Sequence, residues 1–526
     1  MGRTALISVW TLASRILGYV REMISAALFG DSSAVFDAFI TAWRVPNLFR
    51  RFLGEGALST SFQTALTEAD GDHGEDAGRR LFGRTLLALL ALAGGVCAVV
   101  MAGVSLMPDR MPGTGWAWLG SDPGYVRELT LRVMPFVVLV CVSALAGGAL
   151  QVRGSFAAPA FAPVALNAVW ILVLVAIWFG GEGSGPDPAR DLERARWLAW
   201  GVLLAGAAQL AVQLPALRRT GFIGEGGVSS SRVPDEPGAG LVLRRALPLA
   251  FGAAVYQINV MVDGLMAEGL LPDGGPTLHY FANRVQQFPM ALIAIAATSA
   301  VFPALQAHGH RKDLRAVRDL HDRTHRAICF VALPASAGLL ALAGPIVEVS
   351  FGRGAFGVEG VTRTSAALAA LAVALVPAGA VGLVARTYYA LGDFRTPVRV
   401  SAWMLVVNAL LNLGFVRLLH LDVDGLAWAT VTTSWLSLLL LWPRSSSKLE
   451  LPPREVELGP SLVRMLLASG GVYLAARLCW LSLSSTGEVL ALLLSIGAGV
   501  LAYVASARVL GVEELQPLLR RLSRNR

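Results

Sequence analysis

Arg15, Arg21 and Glu22 lie inside an otherwise apolar run from Ala5 to Phe29, and Asp37, Arg44, Arg50 and Arg51 crowd the run that follows. An arginine at the bilayer centre costs about 2.5–3.5 kcal/mol on insertion scales, so a set of them facing lipid is not expected. Helical spacing gives these residues common directions. Ser14, Gly18, Arg21/Glu22 and Ser25 recur along one face, as do Asp37, Thr41, Arg44 and Asn47/Leu48. Arg50 and Arg51 can equally sit near a helix end and snorkel to the headgroups. Arg21 and Glu22, near the middle of their run, point instead to a cationic, water-filled cavity. Tyr280, Arg284 and Gln287 form a third polar face, with Arg284 expected across that cavity from the first arginines. Such a cluster repels itself unless an anion or a carboxylate is present, and Glu22 and Asp37 are the local counter-charges.

A second set has different chemistry. Asp263, Asn408, Asn412 and Thr430 place carboxylate, amide and hydroxyl oxygens inside apolar runs, a donor set that suits a hard cation. The alternative is hydrogen bonding between helices, with Asp263 paired or protonated.

The elements that must position these groups are membrane-spanning helices. The chain has 526 residues, 55% hydrophobic and 15% charged, where a soluble domain carries about 25% charge. Apolar runs of spanning length recur from end to end, near 5–28, 34–52, 81–106, 126–151, 158–180, 196–216, 241–270, 278–305, 325–346, 362–390, 398–418, 424–443, 461–482 and 487–509. The expected fold is an all-α polytopic membrane protein of about fourteen helices. The first run, with its charges and no convincing cleavage site, reads as a retained helix. Cys97, Cys141, Cys329 and Cys479 all fall in apolar runs without CxxC spacing and read as small core residues.

The net charge of +8 is read by location and not as a nucleic-acid signal. With the N-terminus inside, lysine and arginine favour the inner segments roughly threefold, which places both termini in the cytoplasm. Gly/Ser/Pro-rich residues 221–240 and residues 445–460 read as cytoplasmic linkers. They divide the chain into an N-lobe (1–220), a C-lobe (241–444), two further helices (461–510) and a basic tail (511–526). The tail and the basic segment 306–326 can also touch anionic lipid.

The two six-span blocks resemble each other. Arg44-Val45 matches Arg284-Val285 at an offset of 240, as Ala57, Ser59 and Phe62 match Ala297, Ser299 and Phe302. Phe156-Ala-Ala-Pro159 matches Phe394-Arg-Thr-Pro397 near that offset. Six spans per block predict parallel, pseudo-symmetric repeats of a transporter type.

Several motifs resemble the MurJ (MviN) lipid II flippases of bacteria, within the multidrug/oligosaccharidyl-lipid/polysaccharide exporter superfamily. They are Ser14-Arg15-x-Leu17-Gly18-x-x-Arg21-Glu22, Asp37-Ala38-Phe39, Arg44-x-Pro46-Asn47-Leu48-x-Arg50-Arg51 and Glu55-Gly56-Ala57 in the first two spans. Further along are Phe156-Ala-x-Pro159-Ala-Phe-x-Pro163-x-x-x-Asn167, Gly392-Asp393-x-Arg395-Thr396-Pro397 and Gly425-Leu426-Ala427. The resemblance implies fourteen helices in two lobes plus a final pair, in the bacterial cytoplasmic (inner) membrane. It implies a transporter and not an enzyme, with a role in peptidoglycan biosynthesis, cell wall biogenesis and cell shape. The implied substrate is lipid II, undecaprenyl-diphosphate carrying the disaccharide-pentapeptide. Arg15, Arg21, Arg44, Arg50 and Arg284 are the implied head-group residues, and guanidinium groups suit diphosphate because they keep their charge and bind its oxygens bidentately. Two departures are Glu22, where the family often has Asp, and Gln287, where some members have a carboxylate.

Some members are thought to bind Na⁺ in the second lobe, although Asn412 here stands where a carboxylate is used. No cofactor is expected, and Na⁺ or the membrane potential is the expected drive. Membrane lipids and cell-wall synthesis proteins are the other expected partners. The expected mechanism is alternating access, with the polyprenyl tail in lipid along the last two helices. The rival readings are an exporter of another polyprenyl-linked saccharide or of drugs, a non-transporting cell-wall scaffold, and a lipid-linked glycosyltransferase. The last would need an extracytoplasmic acid such as Asp122 or Asp187, and neither has a polar cluster around it in the sequence.

Overall fold

The structure is a computed structural model that describes residues 3–50, 57–106, 123–180, 187–224, 231, 236–298, 301–449, 451–452 and 458–516. Arg51, Glu55, Gly56, Asp122, Ser299 and the basic end of the tail lie outside the described residues. The helices are α1 (Arg3–Phe29), α2 (Ala34–Phe49), α3 (Ala57–His73), α4 (Glu75–Ser105), α5 (Pro123–Val133), α6 (Phe136–Val152), α7 (Ala157–Gly180), α8 (Pro188–Ala211), α9 (Leu214–Arg219) and α10 (Ala239–Leu270). They continue as α11 (Gly275–Thr298), α12 (Val301–His310), α13 (Leu314–Phe351), α14 (Val358–Val373), α15 (Leu375–Ala390), α16 (Arg395–Arg417), α17 (Val423–Lys448), α18 (Leu458–Leu483) and α19 (Glu488–Val509). The protein is therefore the all-helical, multi-pass membrane protein that its composition predicts.

Among the described residues nine helical segments are long and apolar enough to span a bilayer, or ten if the bent pair α14–α15 counts as one span. Helices α1, α2, α10 and α11 stand where spans are expected but fall outside that set. α2 has only 16 residues. α1 and α11 are made polar by the residues that could do chemistry, Arg15, Arg21 and Glu22 in one and Asn283, Arg284, Gln286 and Gln287 in the other.

The repeat is visible in the element order. The fourth span of the first block is broken between α5, ending at Val133, and α6, which follows Pro135. Its counterpart is bent by 41° between α14, ending at Val373, and α15. The two breaks lie 240 residues apart, the offset seen in the sequence. α7 and α16 begin directly after Phe156 and Phe394. Packing repeats as well: α3 with α4, α4 with α6, α5 with α8 and α7 with α8 correspond to α12 with α13, α13 with α15, α14 with α17 and α16 with α17.

The chain divides into two compact units, Met1–Thr277 with Gly354–Phe356, and Leu278–Arg353 with Gly357–Arg526. The first unit takes in α10, which the linker position assigns to the second lobe, because α10 packs on α2, α3 and α4. It also takes in three residues of the α13–α14 connection. Ala355 donates its backbone N–H to the Ala27 carbonyl at 2.9 Å, at the end of α1. Gly30 and Gly354 have φ of +80° and +63°, and a Cβ on either would meet a backbone oxygen, Ala355 O at 2.7 Å and Ala27 O at 2.4 Å. Only glycine fits both the backbone conformation and this close approach. Ser33 then caps α2, accepting from the Phe36 amide and donating to Asp191 on α8 at 2.7 Å.

Within the second unit, α18 and α19 pack on each other and on α13. A buried cluster of Cys329, Met465, Ala468, Val472, Tyr503 and Ala507 joins them, with the Tyr503 hydroxyl donating to Phe330 O at 2.9 Å. The lipid-compatible surface of this pair is evident in the exposure of Leu466, Leu467, Leu474, Leu478, Leu493 and Leu501. Cys97, Cys141 and Cys329 are buried and Cys479 is half-buried, all as free thiols.

Candidate functional site

The charged residues of α1 fall into two environments. Arg15 is exposed, next to exposed Ile16 and on a helix that also exposes Leu12 and Val9. Arg21 and Glu22 are buried and joined at 2.5 Å. Arg21 also donates to Asn167 Oδ1 on α7 at 3.2 Å and lies over the Trp170 ring, 4.3 Å from its centroid. The Asn167 amide donates in turn to Ser14 O and Pro163 O, both at 3.1 Å, so α1 and α7 are held by one continuous polar network. Gly18 faces the Asn167 amide, and a Cβ there would make only an ordinary van der Waals contact with it, at 3.7 Å. The network satisfies each buried charge with a partner, the condition for keeping charge in a low-dielectric interior. Trp170 meets Trp43 edge-on at 4.9 Å, which carries the contact on to α2 beside Arg44.

The polar face predicted for α2 is the face that meets α10 and the start of α11. Thr41 donates to Glu268 Oε2 at 2.6 Å, and both residues are buried. The Arg44 guanidinium lies against Gly264, where an added Cβ would be 1.6 Å from Nη1 and 2.1 Å from Cζ. Asp37, 1% exposed, accepts from the Gly274 amide at 2.5 Å, the Thr277 amide at 2.9 Å and the Thr277 hydroxyl at 2.5 Å. Sequence reasoning expects Asp37 to balance a neighbouring arginine, but its carboxylate faces the amides that open α11. The physical reason is the positive end of that helix, whose first N–H groups have no partner within the helix. Gly274 has φ +86° and passes so close to Asp31 that a Cβ would stand 1.7 Å from its carbonyl oxygen.

A methyl group at Gly264 cannot coexist with Arg44 where it lies. Gly264→Ala is expected to push the guanidinium off α10 and to reduce transport strongly, while alanine's helix propensity keeps the protein inserted at normal levels. Transport activity against membrane level checks this, and wild-type transport would mean that Arg44 does not need this seat.

Arg50 and Arg284 are held more locally. Arg50 donates to Asn47 Oδ1 through Nε at 3.2 Å and Nη2 at 3.1 Å. On α11, Arg284 donates to the Tyr280 hydroxyl and to Gln287 Oε1, each at 3.2 Å, and sits over the Tyr280 ring. Gln287 thus holds Arg284 through an amide where a carboxylate would add a charge. Both arginines are half-buried.

The candidate cation residues do not form one cluster within either unit. Asp263 belongs to the first unit and accepts from Asn259 at 3.2 Å. Asn408 and Asn412, fully buried in the second unit, bond each other at 2.9 Å, and Asn408 donates to Thr433 at 3.3 Å. Thr433 takes the place expected for Thr430, whose hydroxyl bonds its own helix at Leu426 O. Among the described residues no group of three or more His, Cys, Asp or Glu side chains could hold a metal.

Sequence reasoning gave no role to Asn167, Trp170, Gly264, Glu268 or Thr277. Asn167 and Glu268 carried a signal as polar groups in apolar runs. The others become meaningful only once the helices are packed.

Comparison with known proteins gives the same architecture. The family model described as "Lipid II flippase MurJ" matches residues 25–496. The probable lipid II flippase MurJ of Bdellovibrio bacteriovorus is 30% identical over 533 residues, covering 98% of this chain and 95% of the relative. The lipid II flippase MurJ of Burkholderia cenocepacia is 32% identical over 414 residues, 78% of each chain. A solved lipid II flippase MurJ in an inward closed conformation superposes with a TM-score of 0.72 at 20% identity, covering 96% of this chain and 98% of the other. An inward-facing multidrug resistance MATE family transporter of the MOP superfamily follows at 0.67 and 13% identity, covering 86% and 98%. These two likenesses describe the fold.

Proposed function

We propose, starting from the fact that the chain belongs to the MurJ lipid II flippase family, that it moves lipid II from the inner to the outer leaflet of the bacterial cytoplasmic membrane. The family match over residues 25–496 carries this reading. The placement of charge supports it. Arg21, Arg44, Arg50 and Arg284 are buried or half-buried on helices that a bilayer must accommodate, and arginine is the residue suited to a diphosphate. In this reading Arg21, Arg44 and Arg50 of the first unit take the diphosphate, with Arg15 receiving it from the exposed side of α1, and Arg284 is the head-group residue of the second unit. The polyprenyl tail stays in lipid, along the exposed leucines of α18 and α19. The protein alternates between inward-open and outward-open states. Both termini are cytoplasmic, following the arginine and lysine bias. Outward movement of an anion against a cytoplasm-negative potential needs compensation of about 2.3 kcal/mol per charge per 100 mV. The arginines supply part of it, and Na⁺ or the potential supplies the drive. A transport rate unchanged on collapsing both gradients would remove that coupling.

The test is replacement of an essential lipid II flippase in cells. Wild type is expected to restore growth, and Arg44→Ala and Arg284→Ala to fail at equal membrane levels. Growth restored by both variants would make the arginines structural. No growth with well-inserted wild type would point to another polyprenyl-linked cargo.

A further inference from the structure

α4 is a peripheral helix: only 17% of its most apolar window is buried. Arg80, Arg84, Leu87 and Ala91 follow one another along a single face of it, at helical spacing. Leu87 is 55% exposed and Ala91 is exposed, so farther along the helix this face looks into lipid. The two arginines stand in the N-terminal part of α4, ahead of its apolar stretch, and in a helix that spans a bilayer side chains so placed reach the headgroup phosphates.

Both arginines are already occupied by an oxyanion, and it comes from the chain's own 221–240 connection. Glu236 pairs with Arg80 through Nη2 at 2.5 Å and Nε at 3.1 Å, and with Arg84 through Nη2 at 2.7 Å. Arg84 also donates to Ser231 O through Nε at 2.9 Å and to Pro237 O at 3.4 Å. The Glu236 side chain is only 6% exposed, although it lies on a connection between helices. The Arg80 hydrogen bond, seconded by Arg84, holds its carboxyl down at about 2. A group whose folded value is depressed keeps its stabilising charge above its ordinary value near 4.3 and loses it only as pH falls toward the folded one. Acid does not open this contact near neutrality, whereas an anion that competes for the two guanidinium groups can.

We propose that Arg80 and Arg84 form a headgroup site for an anionic phospholipid of the bordering leaflet, which Glu236 fills as an internal substitute and a lipid phosphodiester displaces. Guanidinium forks bind carboxylate and phosphate with the same bidentate geometry, and the acyl chains continue along Leu87 and Ala91. The occupant is a lipid and not a soluble phosphate because the apolar stripe runs on from the arginines into the bilayer. Displacement frees Glu236 and Pro237, which lead within two residues into α10, the helix that seats Arg44. Anionic lipid therefore loosens the entry to the helix behind the proposed head-group arginines. The site rests on α4 spanning a bilayer and stands or falls independently of the cargo.

The test is hydrogen–deuterium exchange over residues 231–240 of the full chain, in nanodiscs of phosphatidylcholine alone or mixed equally with phosphatidylglycerol. Wild type is expected to exchange several-fold faster with phosphatidylglycerol. Glu236→Gln is expected to exchange fast in both lipids and to retain more phosphatidylglycerol in native mass spectrometry. Arg80→Gln/Arg84→Gln is expected to exchange fast in both and to retain less. Exchange in wild type that ignores lipid composition, or a lipid response that survives in the double arginine variant, would overturn the proposal.

Discussion

Arg21→Ala is expected to lower the thermal stability of the purified protein and to abolish its ability to replace a lipid II flippase in cells. The change takes the Arg21 guanidinium away from the Glu22 carboxylate, which is 4% exposed and has Arg21 at 2.5 Å. Removing one partner of a buried pair typically costs about 3–5 kcal/mol, because the remaining buried charge loses a large part of its compensation. The Asn167 carbonyl and the Trp170 face lose their cation as well. Structure and transport separate in the double variant Arg21→Ala/Glu22→Ala. Deleting both charges is expected to restore most of the thermal stability and none of the transport. If the double variant also restores growth, Arg21 serves only to satisfy Glu22, and its part in holding diphosphate falls away.

Asp37→Ala is expected to be the other severe change, through a different route. It removes the acceptor of three hydrogen bonds at the start of α11. Hydrogen bonds to a charged acceptor contribute about 1.5–3 kcal/mol each, and the N-terminus of α11 also loses a favourable negative charge. Thermal unfolding should shift down by an amount comparable to the Arg21 variant, and amide exchange at 274–277 should accelerate before the rest of the chain. Asp37→Asn keeps one oxygen acceptor and loses the charge, so it should fall between alanine and wild type. If the asparagine variant matches wild type in both measurements, the site needs an acceptor and not a carboxylate.

How much of this was legible in the sequence depends on how local each cause is. The face of α2 was legible, because helical spacing alone aligns Asp37, Thr41 and Arg44, and that face meets α10. The repeat was legible too, and the helix breaks at Val133 and Val373 keep its register. The different fates of Arg15 and Arg21 could have been read from spacing: six residues at about 100° each place them about 120° apart around the helix. One is exposed and the other buried. The acceptor role of Asp37 was not legible. Its partners lie 237 and 240 residues away, Gly274 in a Pro-Asp-Gly-Gly turn and Thr277 in the first turn of α11, and that sequence announces a turn and a helix start, not what will sit against them. Gly264 was equally silent, since a glycine in an apolar run says nothing of the guanidinium resting on it. The packing of α10 with the first unit was hidden for a related reason. A linker marks where the chain is pliable, whereas grouping follows Thr41–Glu268 and Arg44 on Gly264.

The seating of Gly354–Phe356 against the end of α1 bears on how the protein is made. A chain that leaves the ribosome from its N-terminus acquires α1 early, yet the three residues that complete this end of the first unit are translated more than 300 residues later. Domains generally mature as they emerge, but this one stays open at Gly30 until α13 has been inserted. During that interval the Ala27 carbonyl lacks the Ala355 amide, and the α1–α2 turn must be tolerated by lipid, water or a membrane chaperone. Truncation anywhere before residue 354 therefore yields a first unit that is incomplete, however intact its own helices are.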